Sequence, residues 1–346
     1  MPRIGMALAI AGLALAGARA PAAGQDNPAE FFKDKQLRIV VGSAAGSGFD
    51  LNARLLVRHW PNHIPGRPSM IVQNQPGGGS ITMANTLIAS APRDGTVIGA
   101  AINGMPTAPL LQPETARYDA AKVNWVGSTN RDTVIAFTWH TSKVQSVADL
   151  KVHEVTAGAT SAGTAQYDFP VIAQSILGLK FKVVAGYKGT TDILIALERG
   201  EIEAVGALAL QSLRALNPHW ISERMVRIIL QYGLEKHPEL PEVPTLISLA
   251  QSPADMQALR LLLSRVEYGR PFFLPPDVPP ARVEALRRSF DATMRDKAYL
   301  AEAAKAGLDV SPMSGEDMGQ LIATLVATPP EIAARVRNAL AVARNK

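Results

Sequence analysis

Residues 41–50 read Val41-Gly42-Ser43-Ala44-Ala45-Gly46-Ser47-Gly48-Phe49-Asp50. They follow an apolar run, Leu37-Arg38-Ile39-Val40-Val41. They precede Leu51-Asn52-Ala53-Arg54-Leu55-Leu56-Val57-Arg58, whose apolar residues recur at helical spacing. A strand, a glycine-rich loop and a helix start form the unit from which α/β proteins are built. The helix start is also where such proteins hold anions, because unpaired N–H groups and aligned peptide dipoles gather there.

The loop does not carry a nucleotide signature. A dinucleotide fingerprint counted from Gly46 needs its third glycine at Leu51, and a phosphate loop counted from Gly42 needs its second at Ser47, with a lysine after it. What remains is general. Gly46 and Gly48 let backbone amides approach a ligand, Ser43 and Ser47 add hydroxyls, and the helix start suits a carboxylate. The plainer alternative is a loop in which Ser47 or Asp50 simply caps the helix.

Outward from this unit, strands and helices alternate along the chain. Strands are expected at 37–42, 69–74, 96–101, 122–127, 132–138, 154–158, 181–186, 202–208, 225–231 and 266–274. Helices are expected at 49–60, 79–91, 105–111, 146–151, 163–177, 189–199, 209–216, 254–264, 279–296, 298–306, 314–326 and 329–343. Such alternation predicts an α/β fold, with sheets flanked by helices. A second copy of the opening unit begins at Glu154-Val155-Thr156-Ala157-Gly158. It continues through Ala159-Thr160-Ser161-Ala162-Gly163-Thr164 into another helix. Two such loops facing each other would hold one ligand between two lobes.

Composition narrows the function. The 346 residues, 47% hydrophobic and 19% charged, are enough for a sizeable core. Met1-Pro2-Arg3, the apolar run Ile4 to Ala16 and the small residues around Ala18–Gly24 read as a secretory signal, with cleavage expected near Gly24. That apolar run falls short of the roughly 20 residues a spanning helix needs. There is no cysteine, so neither disulfides nor thiolate chemistry. The formal charge of +5 falls to +3 without Arg3 and Arg19, and the basic residues are dispersed, which gives nucleic-acid binding no support.

Other chemistry finds weak footing. Ala159-Thr160-Ser161-Ala162-Gly163 is one residue from a nucleophile elbow, but His219 and His237 sit beside prolines without a supporting pattern. A secreted serine hydrolase is therefore a minor alternative. His59 and His63 have metal-like spacing, but Pro61 interrupts their helix; no metal or cofactor is expected. Asn74, before Gln75-Pro76-Gly77-Gly78-Gly79, is a candidate hydrogen-bonding residue or a plain turn residue. Tyr187 is a candidate pocket residue, and Lys188 beside it reads as solvated.

Several motifs then coincide in order. The glycine loop ending at Asp50 and followed by Ala53-Arg54 comes first. Next are Val72-Gln73-Asn74-Gln75-Pro76-Gly77-Gly78-Gly79 and Ala91-Pro92-Arg93-Asp94-Gly95-Thr96. Gly186-Tyr187-Lys188-Gly189, Leu197-Glu198-Arg199-Gly200-Glu201-Ile202-Glu203-Ala204, Pro241-Glu242-Val243-Pro244-Thr245 and Leu274-Pro275-Pro276-Asp277-Val278-Pro279 follow. Together they resemble the extracytoplasmic solute receptors of tripartite tricarboxylate transporters, the Bug or TctC-like family.

The resemblance implies a two-lobed periplasmic binding protein, each lobe a mixed, mostly parallel sheet flanked by helices. Residues 25–128 plus 265–346 would form lobe one and 129–264 lobe two. It would be a monomer that captures a small organic acid and delivers it to membrane permease subunits. Family ligands are held mainly by backbone amides and water. Ser43, Ala45, Ser47, Gly48, Asp50 and Asn74 are expected on one side of the ligand. Thr160, Ser161, Ala162, Gly163 and Tyr187 are expected on the other. Phe49, Tyr268 and Arg270 stand where the family pattern differs, so Arg270 joins the candidates and the kind of carboxylate stays open. A periplasmic sensor for a signalling receptor would look the same. One expectation is specific: Ser47→Pro, by removing a backbone donor, weakens binding more than Lys188→Ala.

Overall fold

In the computed structural model residues 26–344 are described; the expected signal segment, 1–24, lies outside them. The strands are β1 Gln36–Val41, β2 Ser69–Asn74, β3 Val97–Ala100, β4 Asn124–Ser128, β5 Val134–Trp139 and β6 Val155–Ala159. They continue with β7 Phe181–Ala185, β8 Ala204–Ala209, β9 Val226–Gln231, β10 Pro271–Leu274 and β11 Met313–Ser314. The helices are α1 Pro28–Phe32, α2 Gly48–His59, α3 Ile81–Ser90, α4 Ala108–Leu111, α5 Val147–Val152, α6 Ala165–Leu177 and α7 Thr190–Glu198. After them come α8 Leu210–Leu216, α9 Pro218–Ser222, α10 Pro253–Leu263, α11 Pro280–Thr293, α12 Lys297–Lys305, α13 Gly315–Val326 and α14 Pro330–Arg344.

The strands form two mixed sheets. The first has the order β11-β4-β10-β3-β1-β2 and the second β7-β6-β8-β5-β9. β1 runs parallel to β2 and β3, and β6 runs parallel to β7 and β8. β10 enters the first sheet antiparallel to β3 and β4; β5 enters the second antiparallel to β8 and β9. This is the two-lobed α/β architecture expected from the alternation.

The chain leaves the first sheet after Ser128 and returns at Pro271, and the two crossing segments bond to each other. Gly269 N–H donates to Asn130 O (2.9 Å) and Asp132 N–H to Val266 O (2.8 Å). That pairing explains a shortened strand. Residues 266–274 read as one strand, but Ser264–Val266 forms a 3₁₀ turn and β10 starts at Pro271. At Gly269 an added Cβ would sit 2.7 Å from Asp132 Cγ, so only glycine lets the second crossover lie this close to the first.

Side-chain alternation sets the layers. Leu37, Ile39 and Val41 of β1 turn one way, into a cluster with Leu55 and Leu56 of α2 and Leu286 and Phe290 of α11; Val40 turns the other way. Pro170 sits inside α6, where a proline normally breaks a helix. Gly206 on β8 makes room for it, since a Cβ there would lie 2.8 Å from the proline ring. The last helix packs across both units: Ser175 Oγ donates to Ala339 O (2.9 Å) and Arg337 Nη1 to Leu110 O (2.8 Å), while Arg335 pairs with Asp255.

The far end of α2 is fastened to α12. Arg58 Nη2 donates to Glu302 Oε1 (2.5 Å), His59 Nε2 meets Glu302 Oε2 (2.5 Å), and His63 Nε2 meets Asp296 Oδ2 (2.7 Å). The His59 and Arg58 contacts hold the Glu302 carboxyl below the ordinary range, and His63 with the Ala298 N–H does the same for Asp296. Carboxylates lowered in the folded state stabilise it fully above their unfolded values, near pH 4, and lose that contribution as pH falls through the folded values. The melting temperature should therefore fall steadily below about pH 5. Glu302→Gln should flatten part of that fall in a pH series of thermal melts; an unchanged profile would remove this fastening as a source of acid sensitivity.

Candidate functional site

Three loops at the carboxyl ends of β1, β2 and β3 are tied together by one buried serine. Ser80 Oγ donates to Gly42 O (3.0 Å) and accepts from Ile102 N–H (2.8 Å). Gly42 must be glycine, because a Cβ there would lie 2.2 Å from Ser80 Oγ.

Beyond Gly42 the loop closes on Asp50. Gly46, at φ +80°, turns its N–H onto Asp50 Oδ2 (2.8 Å), an arrangement the left-handed region reserves largely for glycine. Asp50 Oδ2 also accepts from Arg54 Nε (2.9 Å), and Oδ1 accepts from Asn74 Nδ2 (2.9 Å). Asn74 Nδ2 also reaches Ser43 O (3.0 Å), and its Oδ1 accepts from Arg54 Nη2 (3.1 Å). Burial pushes the Asp50 carboxyl up, but the donors of Arg54, Gly46 and Asn74 together hold it below the ordinary value. Ser47 is the N-cap: its Oγ accepts from Asp50 N–H (3.3 Å) and lies 2.6 Å from Ser43 Oγ.

The helix-cap alternative is thus what Ser47 does. One expectation needs correcting. Ser47 N–H is not a free donor, since it bonds Ala44 O at 3.2 Å. Within this loop and the start of α2, the amides of Ser43, Ala44, Ala45, Gly48 and Phe49 have no acceptor among the described residues. The weakening expected of Ser47→Pro would come through the loop's own fold.

The loop after β6 repeats the device. Gly163, at φ +90°, gives its N–H to Asp168 Oδ1 (3.0 Å) in the first turn of α6. Thr160 and Thr164, spaced like Ser43 and Ser47, bring their hydroxyls to 3.3 Å. Asp168 too has its arginine, but from the second crossover: Arg265 Nη1 donates to Asp168 Oδ2 (2.6 Å). Arg265 Nε reaches Thr107 Oγ1 (3.3 Å) in the first unit. Ser161 and Ala162 have backbone N–H groups without acceptors among the described residues. Asp168, Arg265 and Thr107 were not among the expected site residues.

The expected residues fall into two sets. Ser43, Ala45, Ser47, Gly48 and Asp50 lie on the first loop and the helix start it feeds, with Asn74 bonded to them from the end of β2, and Thr160, Ser161, Ala162 and Gly163 lie on the second loop. Where the units meet, Gly163 O lies 3.1 Å from where a Gly104 Cβ would be and 3.7 Å from that of Gly79. The second loop therefore abuts the companions of the first loop. Tyr187 joins it through its N–H to Ala159 O (3.3 Å), but its ring packs over Gly158 and is half-buried. Lys188 is exposed, as expected of a solvated residue.

Arg270 stands at the crossover beside the first loop. Its backbone N–H donates to Ser128 Oγ (3.0 Å), and Nη1 donates to Asp132 Oδ2 (2.9 Å) and Gly269 O (2.8 Å). Its guanidinium carbon sits 4.4 Å from the Phe49 ring centroid. An open groove of about 620 Å³ runs between α8 of the second unit and α12 with residues 307–310 of the first, and Asp132 lines it. The groove does not include the two loops; it is the loops themselves that present unpaired amides at helix starts, which is chemistry for holding an anion.

Residues 64–336 match the family described as the tripartite tricarboxylate transporter family receptor. A UPF0065 protein of Cupriavidus necator is 24% identical over 341 residues, covering 94% of this chain and 93% of that protein. Two Rhodopseudomonas palustris structures share the fold. One, solved with adipate, has a TM-score of 0.64 and 20% identity, over 87% of this chain and 97% of that one. The other, solved with bound malate, has a TM-score of 0.62 and 18% identity, over 88% and 99%.

Proposed function

The chain belongs to the tripartite tricarboxylate transporter receptor family, and on that premise we propose that it captures a small carboxylate between its two sheets and delivers it to membrane permease subunits. The observation that carries this reading is the doubled loop. Each copy aims unpaired amides from a helix start whose shape is held by a left-handed glycine and a buried aspartate. Adipate and malate in two structures of the same fold support the ligand class.

The ligand contacts are the amides of Ala45 and Gly48 on one side and Ser161 and Ala162 on the other, with the hydroxyls of Ser43 and Thr160 nearby. Asp50, Asn74 and Gly163 shape the loops, because their polar groups are bonded within the protein. Residues 25–128 with 265–346, and 129–264, move as two lobes about the paired crossovers. The protein acts as a monomer in the periplasm. The Ser161 hydroxyl has no histidine or carboxylate partner among the described residues.

A thermal-shift panel of acetate, hexanoate, adipate, malate, citrate and benzoate, with sugars and amines beside it, tests the reading. A ligand at a hundred times its Kd adds about 2.7 kcal/mol, which corresponds to a rise of roughly 5 °C. Shifts by sugars or amines, and by no acid, would overturn it.

A further inference from the structure

Family receptors are expected to hold their ligand through backbone amides, yet this chain places a cation beside one of its loops. Arg270 uses Nη1 for Asp132 and Gly269. Its Nε is buried with no partner among the described residues. Its Nη2 lies 3.7 Å from where a Gly48 Cβ would be, beside an amide that also lacks an acceptor. Nε and Nη2 form one edge of the guanidinium, two parallel donors with the spacing of a carboxylate's oxygens. Buried donors on a charged group are costly to leave unmade, so a protein that keeps one has a use for it.

We infer that the Nε–Nη2 edge of Arg270 is a carboxylate subsite, acting with the Gly48 and Phe49 amides on one anionic group of the ligand. The subsite rests on the receptor reading and adds the group that selects a planar carboxylate. The surroundings fit that role. Asp132 is held by Asn130 Nδ2 (2.9 Å) as well as by Arg270, so it fixes the guanidinium through Nη1 and leaves the Nε–Nη2 edge without a partner among the described residues. The guanidinium carbon lies 4.4 Å from the Phe49 ring centroid, a cation–π contact that helps to hold it in place. Gly48 carries no side chain to fill the space in front of Nη2. The other arginines near the loops spend their Nε groups within the protein, Arg54 on Asp50 and Arg265 on Thr107.

The test is calorimetric titration with whichever acid of the panel shifts the parent most, hexanamide serving as the uncharged control. Arg270→Gln alone leaves Asp132 buried without its partner, so the paired variant Arg270→Gln/Asp132→Asn is measured beside it, each checked for an unliganded thermal transition. Both should bind the acid at least 30-fold more weakly than the parent, with Arg270→Lys in between, because lysine keeps the charge and loses the fork. In the parent, the Arg270 Nε–H resonance, identified by its absence from Arg270→Lys, should move downfield on titration. Parent-like affinity in the paired variant, or an unmoved Nε–H at saturation, overturns the subsite and leaves the receptor reading standing. A parent that binds no acid of the panel overturns both.

Discussion

Replacing Arg265 with methionine is expected to lower the unfolding free energy by about 3–5 kcal/mol, the cost of leaving a buried charge without its partner. Arg265 and Asp168 face each other at 2.6 Å with side chains 2% and 1% exposed. Removing the cation leaves a carboxylate in a site that water does not reach, with the Gly163 N–H as its remaining donor. The Thr107 hydroxyl loses its arginine contact at the same time. Urea unfolding at pH 7 should show a lower midpoint with an unchanged slope. The double variant Arg265→Met/Asp168→Leu should recover most of the loss, because an apolar pair of similar size is often as stable as a buried ion pair. A single-variant cost below about 1 kcal/mol would mean the pair is solvated. The position matters for binding as well, since the pair links a crossover, the first unit and the helix behind the second loop.

Strand and helix positions were largely legible because apolar periodicity, glycines and prolines mark them locally. The elements missed were those too short to have a period, such as Met313–Ser314, or a single turn such as Pro218–Ser222. The repeated loop was legible too, but its meaning was read one step short. Ser43 with Ser47 and Thr160 with Thr164 share a spacing of four, and each cap is followed by an aspartate in the first helical turn. That pattern pointed to Asp168 as the partner of Asp50, and it was there to be read. Arg265 was not, because it lies 97 residues from Asp168 and nothing local marks the pairing. The approach of Gly163 to Gly79 and Gly104 is equally hidden: it exists only once two separately folded sheets have packed.

Asp50→Ala is expected to cost about 2–3 kcal/mol and to weaken the best acid of the panel at least tenfold. The stability cost is smaller than for Arg265, because the groups released can find water: Gly46 is exposed and the Arg54 side chain is 45% exposed. The binding cost follows from what the carboxylate arranges. Without it, Gly46 has no reason to hold φ at +80°, and Asn74 no longer bridges the loop to β2. The loop that carries the Ala44, Ala45, Gly48 and Phe49 amides is then no longer clamped, and ordering it becomes part of the cost of binding. Asp50→Asn separates charge from size. It keeps the volume but turns an N–H₂ group toward donors, so it should bind nearly as poorly as the alanine variant. It should also lose acid sensitivity. Asp50 is held below its ordinary value, so its contribution is complete above about pH 4 and fades as pH falls through the folded value. In the asparagine variant that part of the acid-induced fall in stability should be absent from a urea series between about pH 3 and pH 7. Lower stability with unchanged affinity would show that the amides keep their direction without the clamp, and the doubled aspartate would then serve the fold alone.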